Sequence, residues 1–564
     1  MKYLKFGVYE LAAFAVLVVA IGLRIVLLAL GWPPSDSDEG TMGIMARHIA
    51  YHGEHPAVFY GQSYMGTLEA RIGAFLFHIL GPSLFALRLS VIFFVTIFLI
   101  STYLLASLLY SKRVALVTLI LLTFGSIYVF TRETLATGGS SQTLAFGSLA
   151  FLLAAWLSST YRRGASWRVK VLRFVGYTAW GVVFGLGFWS DMIVLPYFAG
   201  AVLLACIFCW RDLLWAWVGA VAGFLFGAYP VLSYSWHAGN GHNMLTILFS
   251  LFQGSGVQAP HTLHQVLHAV KGAILISVPT ATSYPFCPVM EQSFLSDNTV
   301  QTPLCTAGHA LWGTGFVALI AVGLLLAIIT FWRTRVRGDL DMNAIDTRRT
   351  IVRNVAHFIL LGTAALDVSA YSLSSAPMGW PGYHSRYLIG LLIIMPAFVA
   401  VLWGTTPSVQ TVARTAQQRL LYILRHYSGR VILALILAIY LIGTLMLFTE
   451  VPATQAATRN QMSLIGYLEQ TGHTRFYTDY WSCDKLAFES GERVTCGVLE
   501  PDLRVLPQHN RVPGYYDAVS HDPNAAYAFP LGLPQVALLD KKFATSHRHY
   551  TRTIVNGYVV WEPV

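Results

Sequence analysis

Apolar runs long enough to cross a bilayer recur along most of this chain. A run of about 20 apolar residues crosses the roughly 30 Å of hydrocarbon in a membrane as a helix. Hydrophobic residues make up 55% of the chain and charged residues only 11%, a composition that excludes a soluble enzyme. We therefore predict an all-α polytopic membrane protein with about eleven transmembrane helices. The predicted spans are 8–30, 85–109, 114–131, 142–159, 174–189, 192–209, 213–232, 310–331, 354–371, 387–403 and 431–449.

The basic residues indicate how these spans are oriented. Most Lys and Arg residues of the connections between spans fall on the same side of the membrane as the N-terminus. The positive-inside rule makes that side cytoplasmic. The formal net charge of +10 is spread over short segments between apolar runs, so it does not indicate a nucleic-acid partner. The first apolar run lacks a small-residue cleavage site and is expected to be a retained helix. We predict an integral protein of a plasma (inner) membrane.

The chain divides into a membrane part, 1–449, and a tail, 450–564. The membrane part contains two long extracytoplasmic loops, 31–84 with amphipathic interfacial helices and 233–309. The tail carries 10 basic and 11 acidic residues from residue 451 onward, which is typical of a soluble surface. We predict a small extracytoplasmic α/β domain there, with strands near 475–481, 493–499, 535–540 and 553–561.

Four cysteines lie in two close pairs, both in segments assigned to the extracytoplasmic side. Cys287 is near Cys305, and Cys483 is near Cys496. An oxidising compartment favours two disulfides, with free thiols as the alternative.

Acidic residues follow the first span directly, so their side chains are held at the membrane surface. Asp36, Asp38 and Glu39 lie within the hexapeptide 35–40. A carboxylate in this position is a candidate general base. The alternative is that Ser37 or Asp38 only caps a helix that starts near Thr41, although capping does not require three acids in four residues.

Particular stretches of the membrane part resemble a known superfamily. They are Ser37-Asp38-Glu39-Gly40 with Met45-Ala46-Arg47-His48, then Tyr60-Gly61-Gln62-Ser63-Tyr64-Met65-Gly66-Thr67-Leu68-Glu69-Ala70, and Ser385-Arg386-Tyr387-Leu388. These stretches are similar to bacterial relatives of the protein O-mannosyltransferases (glycosyltransferase family 39) and of the lipid A aminoarabinose transferases. Both belong to the GT-C superfamily of polyprenyl-phosphate-dependent glycosyltransferases. The tail differs from the β-trefoil insert of eukaryotic protein mannosyltransferases.

The resemblance implies transfer of a sugar from a polyprenyl-phosphate donor to a hydroxyl acceptor on a lipid, glycan or protein, with inversion. Asp38 is the expected base, with Asp36 and Glu39 as alternatives. Arg386 is expected to stabilise the leaving phosphate with His384 and Tyr383, because guanidinium groups suit phosphate oxygens. Further candidates for substrate contacts are Glu133, Arg132, Glu69, Gln62, Tyr64 and Arg88.

A divalent metal is a weaker expectation, and no other cofactor is indicated. His261, His264 and His268 share one face of a predicted helix and could bind an ion together with Glu69. The alternative is an interfacial helix with polar histidines. Two other function classes also remain open: a multi-span transporter or flippase for lipid-linked sugars, and a scaffold that binds a partner through the acidic loop.

Overall fold

The structure is a computed structural model that describes residues 7–162, 164, 166–238, 246, 260–287, 302–336, 345–403 and 416–564. Side chains of 333–347 and 416–426 are outside this description. In the described ranges, nine helices are long and apolar enough to cross a membrane. They are Val8–Ala29, Leu84–Leu109, Ser140–Thr160, Trp167–Ser190, Met192–His237, Pro303–Trp332, Arg348–Ser372, Pro381–Trp403 and Tyr427–Thr471.

The α-helices and β-strands are numbered in chain order. The helices are α1 Val8–Ala29, α2 Ser37–Arg47, α3 Leu68–Leu80, α4 Leu84–Leu109, α5 Lys112–Thr123, α6 Ile127–Arg132, α7 Ser140–Thr160, α8 Trp167–Ser190, α9 Leu195–His237, α10 Leu263–Gly272, α11 Val278–Ala281, α12 Pro303–Val336, α13 Ile345–Ser372, α14 Ala376–Gly379, α15 Pro381–His384, α16 Met395–Trp403, α17 Ala416–Thr471, α18 Tyr480–Glu489, α19 Tyr515–Ser520 and α20 Pro534–Ala544. The strands are β1 Val58–Phe59, β2 Gln62–Gly66, β3 Arg475–Thr478, β4 Thr495–Val498, β5 Ala526–Pro530, β6 Tyr550–Val555 and β7 Tyr558–Pro563. Short π-helical turns cover His48–His52 and Ala273–Ser277, and 3₁₀ turns cover Met192–Val194, Ser385–Ile394 and Pro507–His509.

The long helix α9 contains two predicted spans, because the chain reverses direction inside it. Its regular backbone is interrupted at Cys209 (φ −125°, ψ 15°). Before the interruption, Phe198 stacks on Phe184 in the second half of α8, with ring centres 4.1 Å apart, and Cys209 Sγ lies 3.7 Å from Arg173 Nη2 in its first half. This first leg therefore runs antiparallel to α8.

The second leg of α9 runs in the same direction as α8. Gly219 packs closely against Phe174, and Gly227 packs against Leu186, so positions rise together along both helices. The glycines allow this approach, since an added Cβ at either position would lie within 3.0 Å of the neighbouring helix. The two legs correspond to the spans predicted at 192–209 and 213–232.

The span predicted at 114–131 is two shorter helices, α5 and α6, instead of one. The segment still runs beside α1 over its length: Lys112 pairs with Glu10 at one end, and Arg24 Nη1 donates to Thr123 O at 3.5 Å near the other. Ser126 starts α6, because its side chain accepts a hydrogen bond from Val129 N at 3.4 Å. The second helix is therefore separate from α5.

The first loop contains helices on both sides of a short hairpin. Helix α2 continues into the π-helical turn His48–His52, β1 and β2 form an antiparallel hairpin, and α3 follows. Phe77 of α3 is buried, whereas Phe75 and Ile79 are each 63% exposed, so apolar side chains lie on both the packed and the open side of this helix.

The tail is built on a five-stranded sheet with strand order β4-β3-β5-β7-β6. Strand β3 is parallel to β4 and β5, and β7 is antiparallel to β5 and β6. The predicted boundary at residue 450 lies inside α17, which runs from the last span into this domain.

Two of the four predicted strands are wrong in detail. Residues 535–540 belong to helix α20, because Val536, Leu539 and Phe543 recur at helical spacing and together cover the sheet. Residues 553–561 contain the end of β6, a turn at Asn556 and Gly557, and β7, so they form a hairpin and not one strand. Strand β5 was not predicted.

Both predicted disulfides are confirmed. Cys287 is bonded to Cys305, and Cys483 is bonded to Cys496, which joins the first turn of α18 to β4. The domain held by the second bond packs directly on the first loop. Gly40 of α2 lies against the backbone of Asp484, and Gly43 lies against the Phe488 ring, so the small residues of α2 allow α18 to approach closely.

Candidate active site at the first loop

Asp36, and not Ser37 or Asp38, caps the first helix of the loop. Helix α2 begins at Ser37, four residues before the predicted start near Thr41, and the Asp36 carboxylate accepts a hydrogen bond from Glu39 N at 2.9 Å. The capping alternative is therefore wrong for Asp38, whose side chain has no capping bond. That carboxylate remains available for another role.

Asp38 is held by two side chains of the C-terminal domain. Its Oδ1 accepts hydrogen bonds from Arg511 Nη1 at 2.7 Å and from the Tyr480 hydroxyl. The side chain is 15% exposed, and its Oδ2 accepts no hydrogen bond from any residue that the structure describes. One oxygen of Asp38 is thus fixed in position while the other is open to a ligand.

Asp36 lies beside Asp38 in a buried environment. Burial, followed by the charge of Asp38, raises the pKa of Asp36 to about 7. The Asp36 carboxyl therefore titrates near neutral pH, beside the Asp38 side chain that Arg511 orients.

Glu39 is occupied by a buried ion pair with Arg88. The guanidinium donates to both carboxylate oxygens, from Nε at 2.8 Å and from Nη2 at 2.6 Å, and Ala136 N adds a third bond at 3.0 Å. The Glu39 side chain is 0% exposed and that of Arg88 is 2% exposed. This arrangement supports a structural role for both predicted site residues, since it joins α2 to α4.

Two arginines on the opposite wall contact no carboxylate in the described part of the chain. Arg386 Nη1 donates to the Tyr383 hydroxyl at 3.0 Å, and its guanidinium carbon lies 4.5 Å from the Tyr383 ring centre and 5.3 Å from that of Tyr387. The Arg132 guanidinium carbon lies 6.0 Å from the Tyr383 ring centre and 5.2 Å from that of Tyr128. Aromatic rings orient both cations without neutralising them.

Arg132 also has unsatisfied donors. Its side chain belongs to a residue that is 5% exposed, and neither Nε nor Nη2 has a hydrogen-bond partner among the described residues. Buried donors of this kind are unusual, because leaving a charged group unpaired is costly. They fit a site that binds an anion.

The acidic and basic sides belong to one site. The Tyr383 hydroxyl interacts electrostatically with Asp36 and Asp38 and also with Arg132 and Arg386. Tyr64 of β2 interacts with Arg386 and Arg511 in the same way.

Asp191, at the turn between α8 and α9, also faces Arg386. It accepts a hydrogen bond from Ile193 N at 3.0 Å, and burial raises its pKa to about 6. Asp191 lies just before the start of α9, and no sequence pattern predicted it.

Other predicted site residues have partners of their own. Glu133 pairs with Arg24 of α1, and not with Arg132. Glu69 accepts from Gly138 N at 2.9 Å and from Ser141 at 3.0 Å, and burial raises its pKa to about 7.

Two further predicted residues complete this survey. His384 Nδ1 lies 2.8 Å from Ala376 O, and its ring stacks on Tyr387, so it supports the wall that carries Arg386. Gln62 lies at the start of β2 and is partly buried.

The structure does not bring the proposed metal ligands together. His261, His264 and His268 are exposed at the start and along α10, whereas Glu69 is buried in the first turn of α3 and accepts a hydrogen bond from Ser141 of α7. Within the described ranges, the one group of three potential ligands that converges is Cys483, Asp484 and Cys496, and its two sulfur atoms form a disulfide.

Tyr480 and Arg511 were missed by the sequence reasoning. They lie in a tail whose balanced charge is typical of an ordinary soluble surface, and they are 442 and 473 residues away from Asp38 in the chain. No local spacing connects residues so far apart.

Comparison with solved structures identifies the architecture. The structure superposes on ArnT from Cupriavidus metallidurans bound to undecaprenyl phosphate with a TM-score of 0.54 and 12% identity, over 98% of this chain and 97% of that one. The apo state of the same protein gives a TM-score of 0.55 and 13% identity, over 97% of each chain. The chain has the GT-C fold.

The chain also matches the apo oligosaccharyltransferase of Archaeoglobus fulgidus, with a TM-score of 0.45 and 12% identity, over 94% of this chain and 70% of that one. No family model and no curated protein matches the sequence.

Proposed function

We propose that this protein is a membrane glycosyltransferase that moves a sugar from a polyprenyl-phosphate donor to a hydroxyl acceptor, with inversion of the anomeric centre. One observation carries the proposal. Asp38 has a carboxylate oxygen without a described hydrogen bond, in a site that also holds two arginines, Arg132 and Arg386, with which no described carboxylate forms an ion pair. A base and an anion-binding wall are the two groups that this reaction needs.

The reaction follows from these positions. The acceptor oxygen forms a bond to the anomeric carbon while the bond from that carbon to the phosphate oxygen breaks. The electron pair of the broken bond stays on the phosphate, where Arg386 and Arg132 stabilise the negative charge. Asp38 Oδ2 takes the proton of the acceptor hydroxyl. A single displacement of this kind inverts the configuration of the anomeric carbon.

Asp38 acts best if it cannot rotate away from the acceptor. Arg511 and Tyr480 hold its Oδ1, so they act as positioning residues. The Tyr383 ring, which contacts both guanidinium groups, keeps the two cations on the same wall.

The lipid nature of the donor has separate support. The ArnT structure with the same fold contains bound undecaprenyl phosphate. The site of this chain lies where α1 ends and the first loop begins, at the level of the membrane surface. A donor with a polyprenyl chain can reach that level from within the bilayer. The acceptor can be a lipid, a glycan or a protein.

The orientation of the site also has support. The C-terminal domain and the first loop lie at one end of the spans, and Lys112 and Arg113 lie at the other. The positive-inside rule places Lys112 and Arg113 in the cytoplasm. The two disulfides are consistent with an oxidising compartment at the opposite end. We therefore propose an extracytoplasmic active site in a bacterial plasma membrane.

The proposal is tested with Asp38→Asn in purified protein reconstituted in nanodiscs. Labelled polyprenyl-phosphate sugars and a mixture of acceptors are supplied, and donor consumption and donor binding are measured. We expect the variant to bind donor and to lose transfer, because an amide cannot accept the proton. The matched control is Asp517→Asn, which changes an exposed aspartate of α19 in the C-terminal domain. Transfer by Asp38→Asn at the wild-type rate would reject the assignment, and donor that is never consumed by the wild type would favour a transporter.

A further inference from the structure

A cavity of about 260 Å³ opens between the connection from α7 to α8 and the kink of α9. It is far from the proposed active site. Arg173, which lines it, precedes Asp191 by 18 residues of the α8 region, or roughly 27 Å at 1.5 Å per helical residue. The cavity therefore lies about one hydrocarbon thickness from the site, at the end of the spans that the positive-inside rule makes cytoplasmic.

The floor of this cavity is an ion pair between Arg173 and Asp212. Arg173 Nε donates to Asp212 Oδ2 at 2.5 Å, Nη1 donates to Thr160 at 3.0 Å, and Nη2 donates to Leu157 O at 3.0 Å. Both charged residues are buried and neutralise each other. The floor contributes little net charge.

The rim carries three cations, Arg162, Lys170 and Arg211. All three are exposed, and none forms an ion pair with a carboxylate in the described part of the chain. Arg211 lies over the Trp210 ring, 5.1 Å from its centre, which orients its charge without cancelling it. Three positive charges around a neutral floor form a site for an anion.

The surface beside the cavity is apolar. Leu172 is 58% exposed, Leu214 is 70% exposed and Val218 is 51% exposed. Trp215, which lines the cavity, stacks on Phe174 with ring centres 6.4 Å apart. A ligand bound at the rim would thus meet hydrocarbon-facing side chains next to the cations, a combination that fits a lipid better than a free anion.

We propose that this cavity binds the headgroup of an anionic phospholipid from the cytoplasmic leaflet. The phosphate lies among Arg162, Lys170 and Arg211, and the acyl chains lie along α8 and the second leg of α9. This site is independent of the proposed sugar transfer.

The test compares wild-type protein with the triple variant R162Q/K170Q/R211Q by native mass spectrometry. Dioleoylphosphatidylglycerol is the anionic probe, and dioleoylphosphatidylcholine is the zwitterionic one. We expect the wild type to retain one phosphatidylglycerol in preference to phosphatidylcholine. Each cation near the membrane surface contributes about fivefold to such binding, so the triple variant should bind on the order of a hundredfold more weakly.

The control is Arg168→Gln, which removes an exposed cation from the first turn of α8 that does not line the cavity. It should bind phosphatidylglycerol like the wild type, and thermal unfolding without added lipid should be the same for all variants. Equal binding of phosphatidylglycerol and phosphatidylcholine, or equal binding by wild type and triple variant, would overturn the proposal. Displacement of the lipid by an excess of inorganic phosphate would also overturn it, since the site would then serve a soluble anion.

Discussion

Replacing Arg511 by Gln should slow sugar transfer without weakening donor binding. The Arg511 side chain is 8% exposed, and it donates one hydrogen bond of 2.7 Å to Asp38. A hydrogen bond to a charged group contributes about 1.5–3 kcal/mol. Asp38 is 15% exposed and keeps its bond from Tyr480, so we expect a loss near the lower end, about 1.5–2 kcal/mol.

This loss should fall on kcat, because Arg511 orients the base and does not contact the donor phosphate in our proposal. A change of about 1.4 kcal/mol corresponds to tenfold, so kcat should fall by roughly 10- to 30-fold while KM for the donor stays the same. The assay is transfer from a radiolabelled polyprenyl-phosphate sugar in nanodiscs, with donor concentration varied.

Two further variants sharpen this prediction. Arg511→Lys keeps a positive charge near Asp38 but loses the stacking on Phe59 and Tyr480, so it should recover part of the lost kcat. Arg504→Gln is the matched control, since Arg504 is 80% exposed in the same domain and pairs with Asp502. An unchanged kcat in Arg511→Gln, or a change confined to KM, would refute the positioning role.

The remaining predictions concern the phosphate wall and the joint between the first loop and the C-terminal domain. Arg386→Gln and Arg132→Gln should each lower kcat/KM for the donor by roughly 10- to 100-fold, because each variant removes a charged partner of the phosphate. The control is Arg459→Gln, which changes an exposed arginine. Wild-type kinetics in both site variants would contradict the assignment. His48 Nε2 lies 2.9 Å from Glu492 Oε2, and this hydrogen bond raises the pKa of His48 above its usual value of about 6.5. The interaction that raises this histidine pKa stabilises the fold fully below about pH 6.5, and the stabilisation is lost as the pH rises through the pKa of the folded state. The difference in Tm between the wild type and His48→Gln should therefore shrink between about pH 6 and pH 9. A Tm difference that grows over this range would be inconsistent with the pairing.

The membrane part could be predicted from the sequence because the bilayer imposes a simple demand. A span must be apolar over its whole length, and its backbone must satisfy its own hydrogen bonds as a helix. Residues 192–209 and 213–232 were therefore recognised as separate spans, although the chain turns between them at Cys209 without leaving helical structure for long. The break at Ser126 was not visible, because Phe124 and Gly125 do not interrupt the apolar run.

The candidate site could be predicted only in part. Asp38 and Arg386 were selected for their chemistry at the ends of spans, and the structure places both within electrostatic range of the Tyr383 hydroxyl. Glu39 and Arg88 have the same chemistry and the same kind of position, yet they pair with each other across 49 residues of chain. Which charges face a cavity and which neutralise each other depends on packing, and a single sequence carries no record of it.

Helix α17, which contains Pro452, connects the last span to the C-terminal domain. Its 56 residues would extend roughly 84 Å, from the membrane part to the domain that contains Arg511. A transmembrane helix tilts when bilayer thickness and hydrophobic length do not match. Such a tilt would move the domain that holds the Arg511 guanidinium beside Asp38. Lipid chain length would therefore affect how accurately the proposed base is oriented.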